Sequence, residues 1–275
     1  MKVLIIGAKG MLGQELAKAF AEAEVFAWDR EEIDITEFQS SNFKIQNLKP
    51  DVVINAAAYN NVDGAETEPA VANKINGYAV GFLAQICKEL DIPLVHYSSD
   101  YVFAGDKKDG YAEAASPDPV SAYGRSKLLG EQELAKNTDK YYLIRLSRLF
   151  GAAGGGKKSF PEVMLSLAAK KTEIEVVDEE LSCPTYAPDL AKLTRVIVEQ
   201  KPPFGIYHGA GNGSCTWFGF AEAIFKLAGK NVKLKAVPGT QFKRPARRPR
   251  YSVLLNTKLP QARPWEEALK EFLTI

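Results

Sequence analysis

The fold is decided by Lys2-Val3-Leu4-Ile5-Ile6-Gly7-Ala8-Lys9-Gly10-Met11-Leu12-Gly13. Lys2–Ile6 is an apolar, partly β-branched run that stops at a glycine, and residues 11–20 then carry helical periodicity. Gly7, Gly10 and Gly13 therefore form a GxxGxxG set between a strand and a helix that opens at Met11 and Leu12. Glycines at such a junction permit a tight turn and let the backbone approach a pyrophosphate seated on the helix N-terminus. A second apolar run, residues 25–28, ends at Asp29, which lies 22 residues after Gly7. An acid there can hold the hydroxyls of an adenosine ribose, a role that a plain turn would leave without purpose. Arg30 beside it can accept a 2′-phosphate, so the pair leaves both NADH and NADPH open.

Outward from this turn, residues 51–55, 92–97 and 142–146 read as further strands, and residues 70–90 and 122–136 as helices. Buried runs alternating with helices predict an α/β fold: a Rossmann-type doubly wound parallel sheet over residues 1–150 that brings its strand C-termini to one edge. After Leu149 the pattern loosens into a glycine-rich stretch, 151–158, and shorter elements. Strands are expected at 174–177, 205–208 and 234–237, and helices at 188–199, 216–227 and 265–272. Residues 151–275 are read mainly as a smaller substrate-binding lobe, with a soft boundary that elements can cross.

Composition removes several classes. The 275 residues are 46% hydrophobic and 25% charged with a net charge of +1, a balance that argues against a general nucleic-acid binder. No apolar run approaches the roughly 20 residues of a membrane span, and Gly7 interrupts the N-terminal run before it could serve as a signal peptide. A cytoplasmic protein without a membrane partner is expected. Cys87, Cys183 and Cys215 form no CxxC pair and no metal-ligand spacing, and His96 and His208 each sit in an apolar strand pattern, so structural roles and no metal are expected.

The chemistry gathers at Tyr123-Gly124-Arg125-Ser126-Lys127. This YxxxK opens a helix, and i, i+4 spacing puts phenol and ammonium on one face. A nearby cation favours the phenolate and makes the tyrosine a usable proton donor. Ser98-Ser99-Asp100 ends the fourth strand, where a hydroxyl can meet a carbonyl oxygen opposite the tyrosine.

These signals resemble the extended short-chain dehydrogenase/reductase superfamily, and the chain is similar within it to the dTDP-4-dehydrorhamnose reductase family. The resemblance runs from Met1 to about Leu269. It is carried by Asn55-Ala56-Ala57-Ala58-Tyr59, Val62-Asp63-Gly64-Ala65-Glu66, His96-Tyr97-Ser98-Ser99-Asp100-Tyr101-Val102-Phe103, Tyr123-Gly124-Arg125-Ser126-Lys127-Leu128, Pro184-Thr185-Tyr186-Ala187 and Ala246-Arg247-Arg248-Pro249. It implies reduction, by NADH or NADPH, of the C4 ketone of a dTDP-linked 6-deoxy sugar. Tyr123 would protonate the C4 oxygen, Lys127 would lower the tyrosine pKa and hold the nicotinamide ribose, and Ser99 would stand in for the family's threonine. Asp100 would adjoin Ser99 at the sugar. Ala57, Ala58, Tyr59 and Tyr97 would line the cofactor, and Asp34-Ile35 would sit near the adenine. Two positions depart from the pattern: Arg148 replaces a tryptophan that packs beside the sugar, and Gly64 replaces a lysine.

Other readings carry less. Residues 151–157 fit GxxxxGK, but lysine follows where a P-loop needs serine or threonine. The basic stretch 243–250 is either a solvated loop or a diphosphate site, with Arg247 and Arg248 as the expected contacts, since guanidinium forks match phosphate oxygens. Trp217 and Trp265 begin helical apolar stripes and are read as core. An epimerase or dehydratase on the same scaffold is the competing enzyme, although Asp100-Tyr101 stands where dehydratases carry Asp-Glu. A non-catalytic NAD(P)-binding regulatory subunit is the competing binding protein. The sequence leaves a homodimer open.

Overall fold

The computed structural model describes residues 1–154, 156 and 158–274. The first half alternates β1 (Lys2–Ile6), α1 (Met11–Ala19), β2 (Glu24–Trp28), α2 (Phe38–Leu48), β3 (Val52–Asn55), the short α3 (Gly64–Thr67) and α4 (Pro69–Asn73), α5 (Ala79–Glu89), β4 (Leu94–Ser99), α6 (Ala122–Asn137) and β5 (Tyr141–Leu146). The second half adds β6 (Leu149–Phe150), α7 (Phe160–Ala168), β7 (Glu173–Val177), β8 (Thr185–Tyr186), α8 (Ala187–Gln200), β9 (Gly205–His208), α9 (Trp217–Leu227), β10 (Lys233–Val237) and α10 (Trp265–Thr274).

Six strands form one sheet in the order β2-β1-β3-β4-β5-β9, and every pairing is parallel. The chain leaves β1 toward β2 on one side and returns through β3 on the other. The strand order therefore reverses beside β1, and the crevice outside the strand C-termini opens at that point. Alternation within β1 shows how the sheet is covered. Val3 and Ile5 face α1 and α8 with Leu12, Leu16, Leu190 and Ile197, while Leu4 and Ile6 face Ile45, Val80 and Leu83 of α2 and α5. Each such side chain, removed from water, contributes on the order of 1.5–3 kcal/mol.

A separate apolar cluster, including Phe150, Ile174, Phe220, Trp265 and Leu269, gathers outside the main sheet. β9 completes the main sheet beside β5, and α8 packs on the same face as α1.

The helix expected over 70–90 is interrupted by a π-turn at Lys74–Tyr78. Close packing explains the break. A Cβ on Gly130 of α6 would lie 2.1 Å from the Asn76 carbonyl oxygen, so α6 presses against the backbone of this turn. In the glycine stretch after β6, Gly151 and Gly154 lie against Met11, not in a phosphate loop of their own, and Gly155 and Lys157 fall outside the described residues. Among the described residues no helix is long and apolar enough to cross a membrane.

Candidate active site

The crevice has two ends. At the dinucleotide end, Gly7 has φ +80°, and its N–H and that of Ala8 donate to the Trp28 carbonyl at 2.9 and 3.1 Å. A Cβ on Gly7 would lie 2.7 Å from the Ala57 nitrogen, and one on Gly13 2.1 Å from the Gly7 oxygen. Both are backbone collisions, so the motif's glycines are required by geometry. Gly10 caps α1 without a side-chain hydrogen bond, leaving first-turn N–H groups for an anion.

Asp29 accepts from the backbone N–H of Lys9 and of Arg30, each at 2.9 Å, which fixes the carboxylate at the end of β2. The Arg30 side chain is exposed. These residues fit a dinucleotide: a backbone cradle for the diphosphate and a fixed acid for the ribose.

Three residues expected near the cofactor have side chains engaged within the protein. Tyr97 buries its ring and pairs its hydroxyl with Thr194 at 2.7 Å, so it meets the site only through its carbonyl. Ile35 buries its side chain with Ile33 and Ile45 in the core. Asp34 commits Oδ1 to the N–H and hydroxyl of Thr36 at 2.9 and 2.7 Å, and these bonds hold its carboxyl below the usual range. Ala57 is anchored by the Asn55 side chain at 3.1 Å. Tyr59, beyond Ala58, is clamped by Asn76, which accepts from its N–H at 2.8 Å and donates to its carbonyl at 3.0 Å.

At the reacting centre, Tyr123 and Lys127 share a face of α6, whose N-cap hydroxyl, Ser121, accepts from the Gly124 N–H at 3.1 Å. Lys127 is 2% exposed and donates to the Tyr97 carbonyl at 2.6 Å; burial pulls its pKa down to about 8. The phenol departs from the expectation that Lys127 lowers it. Burial, and then the Asp100 charge, push Tyr123 up, and only the Ser99 hydroxyl opposes them. The tyrosine thus stands as a neutral acid with its proton in place.

Asp100 is 3% exposed, and both its oxygens are engaged. Oδ1 accepts from Ser99 at 3.0 Å, and Oδ2 accepts from Ser147 at 2.9 Å and Ser252 at 2.6 Å. Burial nevertheless raises its pKa.

Beyond this centre lies the substrate end. Arg148 adopts φ +42°, a left-handed conformation that disfavours a residue with a side chain. Its guanidinium stacks 4.1 Å from the Trp217 ring centroid and donates to the carbonyls of Cys215, at 2.7 Å, and Glu180. Trp217 donates in turn to Glu180 at 3.0 Å. Trp217 thus lines a small cavity with Asp100, Tyr101 and Arg148. Its expected core role holds in part: it packs against the Phe150–Phe220 cluster, with the Phe160 ring at 4.6 Å, and as the first residue of α9 it also faces the cleft. Trp265 is core, as expected.

A neighbouring cleft of about 320 Å³ is lined by Glu179, Glu180, Arg244, Arg247, Arg248 and Arg250 among others. The structure brings Arg247 and Arg248 together there, but they differ. Arg247 is exposed, whereas Arg248 forks onto Asp63 at 2.6 and 2.7 Å and holds that carboxyl at about 2. Arg244 pairs with Glu180 at 2.5 Å.

Asn76, Ser147, Ser252, Glu180 and the buried Arg145–Glu131 pair escaped sequence reading. They are ordinary polar residues in segments far apart along the chain, and only the fold joins them. Among the described residues no group of His, Cys, Asp or Glu could hold a metal ion. His96 and His208 are buried strand residues.

A parallel doubly wound sheet, a glycine turn with a fixed acid, and a buried Tyr-x-x-x-Lys beside a strand-end hydroxyl define an NAD(P)-dependent oxidoreductase of the extended short-chain dehydrogenase/reductase class. The RmlD substrate binding domain family matches residues 1–275. A dTDP-4-dehydrorhamnose reductase of Burkholderia thailandensis is 37% identical over 95% of this chain and 92% of its own. A probable dTDP-4,6-dihydroxy-2-methyloxan-3-one 4-ketoreductase of Streptomyces antibioticus is 37% identical over 98% of this chain and 94% of its own. The solved dTDP-4-dehydrorhamnose reductase of Bacillus anthracis, in complex with NADP, superposes with a TM-score of 0.95 at 34% identity, covering 99% of this chain and 98% of that one. The chain belongs to the dTDP-4-dehydrorhamnose reductase family.

Proposed function

We propose that the protein reduces the C4 ketone of dTDP-4-dehydro-L-rhamnose to dTDP-L-rhamnose, using NADH or NADPH, in the supply of dTDP-rhamnose for cell-surface polysaccharide. The observation that carries this reading is the buried Tyr123 beside the Ser99 hydroxyl, with the buried Lys127 one turn behind it on α6. The ketone becomes an alcohol by gaining a hydride at carbon, which the nicotinamide supplies when bound, and a proton at oxygen. Tyr123 gives that proton. Lys127, tethered by the Tyr97 carbonyl, opposes the negative charge left on the phenolate and offers its ammonium to the nicotinamide ribose. Ser99, its oxygen held by the Tyr101 N–H, turns its single proton from Asp100 to the carbonyl oxygen opposite the phenol when the ketone is bound.

In this reading residues 1–150 bind the dinucleotide. Residues 151–275, apart from α8 and β9, wall the sugar-nucleotide cleft. Arg247 is the exposed diphosphate contact, and Arg248, held by Asp63, shapes the strap of residues 244–252 that carries it. The cytoplasm, where soluble nucleotide sugars and nicotinamides meet, is the expected place of action. A second sugar, another 4-keto deoxyhexose on dTDP, is favoured by one observation: a guanidinium, Arg148 stacked on Trp217, stands where the family pattern has an indole. Initial rates of NADH and NADPH consumption on a panel of 4-keto sugar nucleotides test both. Turnover greatest on dTDP-4-dehydrorhamnose supports the first reading, turnover greatest on another sugar the second, and none on any overturns both.

A further inference from the structure

Asp100 was expected to contact the sugar, yet its carboxylate has little left to offer one. Three serine hydroxyls from three segments point at it: Ser99 at the end of β4, Ser147 after β5, and Ser252 at the end of the strap, residues 244–252, that holds the arginine-rich stretch. Ser99 Oγ, while donating to Asp100, also accepts from the Tyr101 N–H at 3.2 Å. Its rotamer is thereby set from two sides.

The strap is threaded between the lobes by backbone bonds. The Tyr251 N–H donates to Gly105 at 3.0 Å, the Ser252 N–H to Leu181 at 2.9 Å, and the Leu181 N–H to Arg250 at 2.8 Å. The same strap carries Arg247, Arg248 and Arg250 into the charged cleft. A buried carboxylate with three hydroxyl donors is an expensive feature to keep unless it holds something in place.

We propose that Asp100 is a positioning residue: its buried carboxylate gathers Ser99, Ser147 and Ser252, fixes the Ser99 hydroxyl beside Tyr123, and ties that hydroxyl to the arginine-bearing strap without itself binding the sugar. The proposal rests on Ser99 and Tyr123 serving the ketone as described above. Contacts made by the remote diphosphate on the strap then help to hold the geometry at the carbonyl, so that binding energy far from the reacting atoms is expressed in turnover.

Steady-state kinetics on the full chain, with dTDP-4-dehydrorhamnose and NADPH, separate positioning from binding. Asp100→Asn is expected to lower kcat by about 30-fold or more while KM for the sugar nucleotide stays within about threefold. Ser252→Ala should lower kcat by about fivefold to tenfold with the same flat KM, and Ser252→Thr should restore most of it. A KM raised tenfold or more at unchanged kcat would mean that Asp100 binds the sugar, and the proposal falls. It falls equally if folded Ser147→Ala and Ser252→Ala enzymes both keep wild-type kcat, and these two decide the matter if Asp100→Asn does not fold. Amide hydrogen exchange gives a readout independent of turnover. Ser252→Ala should speed exchange of the Tyr101 amide, which is bonded to Ser99, by about threefold or more. If the wild type reduces no keto sugar, the proposed function fails on its own, and unchanged Tyr101 exchange would still overturn the coupling.

Discussion

The two ends of the crevice are built by opposite means. The dinucleotide end is made of backbone: a glycine at φ +80°, bare helix N–H groups, and an aspartate whose oxygens are held by main-chain donors. The substrate end is made of side-chain charge: Arg248 on Asp63, Arg244 on Glu180, Arg148 on Trp217, and a carboxylate inside three hydroxyls. A backbone cradle binds what every member of the superfamily binds. The side-chain end, assembled from distant segments, can change its ligand one residue at a time.

The largest expected effect sharpens this contrast in stability. Arg145 and Glu131, 1% and 5% exposed, form a two-pronged pair at 2.9 and 2.7 Å beneath the substrate end, and Arg145 also donates to the Glu113 carbonyl. Glu131→Ala strands a buried guanidinium and should cost about 3–5 kcal/mol, read as a lowered urea midpoint. A loss below about 1 kcal/mol would mean that charge does not hold this end together.

Tyr123 lies where the two ends meet. Tyr123→Phe keeps the ring's volume but removes the proton, and turnover should fall at least about 100-fold, or about 2.7 kcal/mol, with the cofactor dissociation constant changed by less than about threefold. Near-normal turnover would remove the tyrosine from the chemistry.

The third test addresses the backbone end alone. Asp29 favours the two ribose hydroxyls, and the exposed Arg30 favours a 2′-phosphate. The wild type should therefore use both cofactors within about tenfold, or about 1.4 kcal/mol, and Asp29→Ala should shift preference toward NADPH. Initial rates with each cofactor decide this, and a thousandfold wild-type preference would show that one neighbour does not face the ribose.

The smallest effect is at the strap. Asp63 is ionised far below its ordinary range by Arg248, so the pair contributes above pH about 4 and its contribution is lost as pH falls toward about 2. At neutral pH, Asp63→Asn should cost only about 1 kcal/mol, because the carboxylate is partly exposed. The tie should show as faster amide exchange at Ala246, whose N–H donates to Asp63 at 3.0 Å. Unchanged exchange at Ala246 would show that the strap is held elsewhere.

The same contrast explains what the sequence made legible. β1, α1, β2 and Asp29 announce themselves because a local pattern makes them: an apolar run, glycines at fixed spacing, an acid at the next strand end. Tyr123 and Lys127 are legible for the same reason, being one helical turn apart. α2 was missed because its sequence, FQSSNFKIQNL, buries only Ser41 and Ile45 and so shows little periodicity. The π-turn was missed because it answers to Gly130 on another helix. Ser147 and Ser252 lie 47 and 152 positions from Asp100, and Arg148 and Trp217 are as far apart in the chain as two separate elements, so no window of sequence holds both partners. Trp217 was half legible, because an apolar stripe shows that its first residue packs inward but not that it also looks over the cleft.

The measurement that bears most directly on the central claim follows the hydride itself. With NADPH carrying deuterium at its transferable position, the wild type should oxidise one cofactor for each dTDP-4-dehydrorhamnose consumed and leave deuterium on C4 of the product sugar. Sugar converted with no net cofactor oxidation would make the protein an epimerase or dehydratase, and no conversion at all would make it a binding protein; either result contradicts the account.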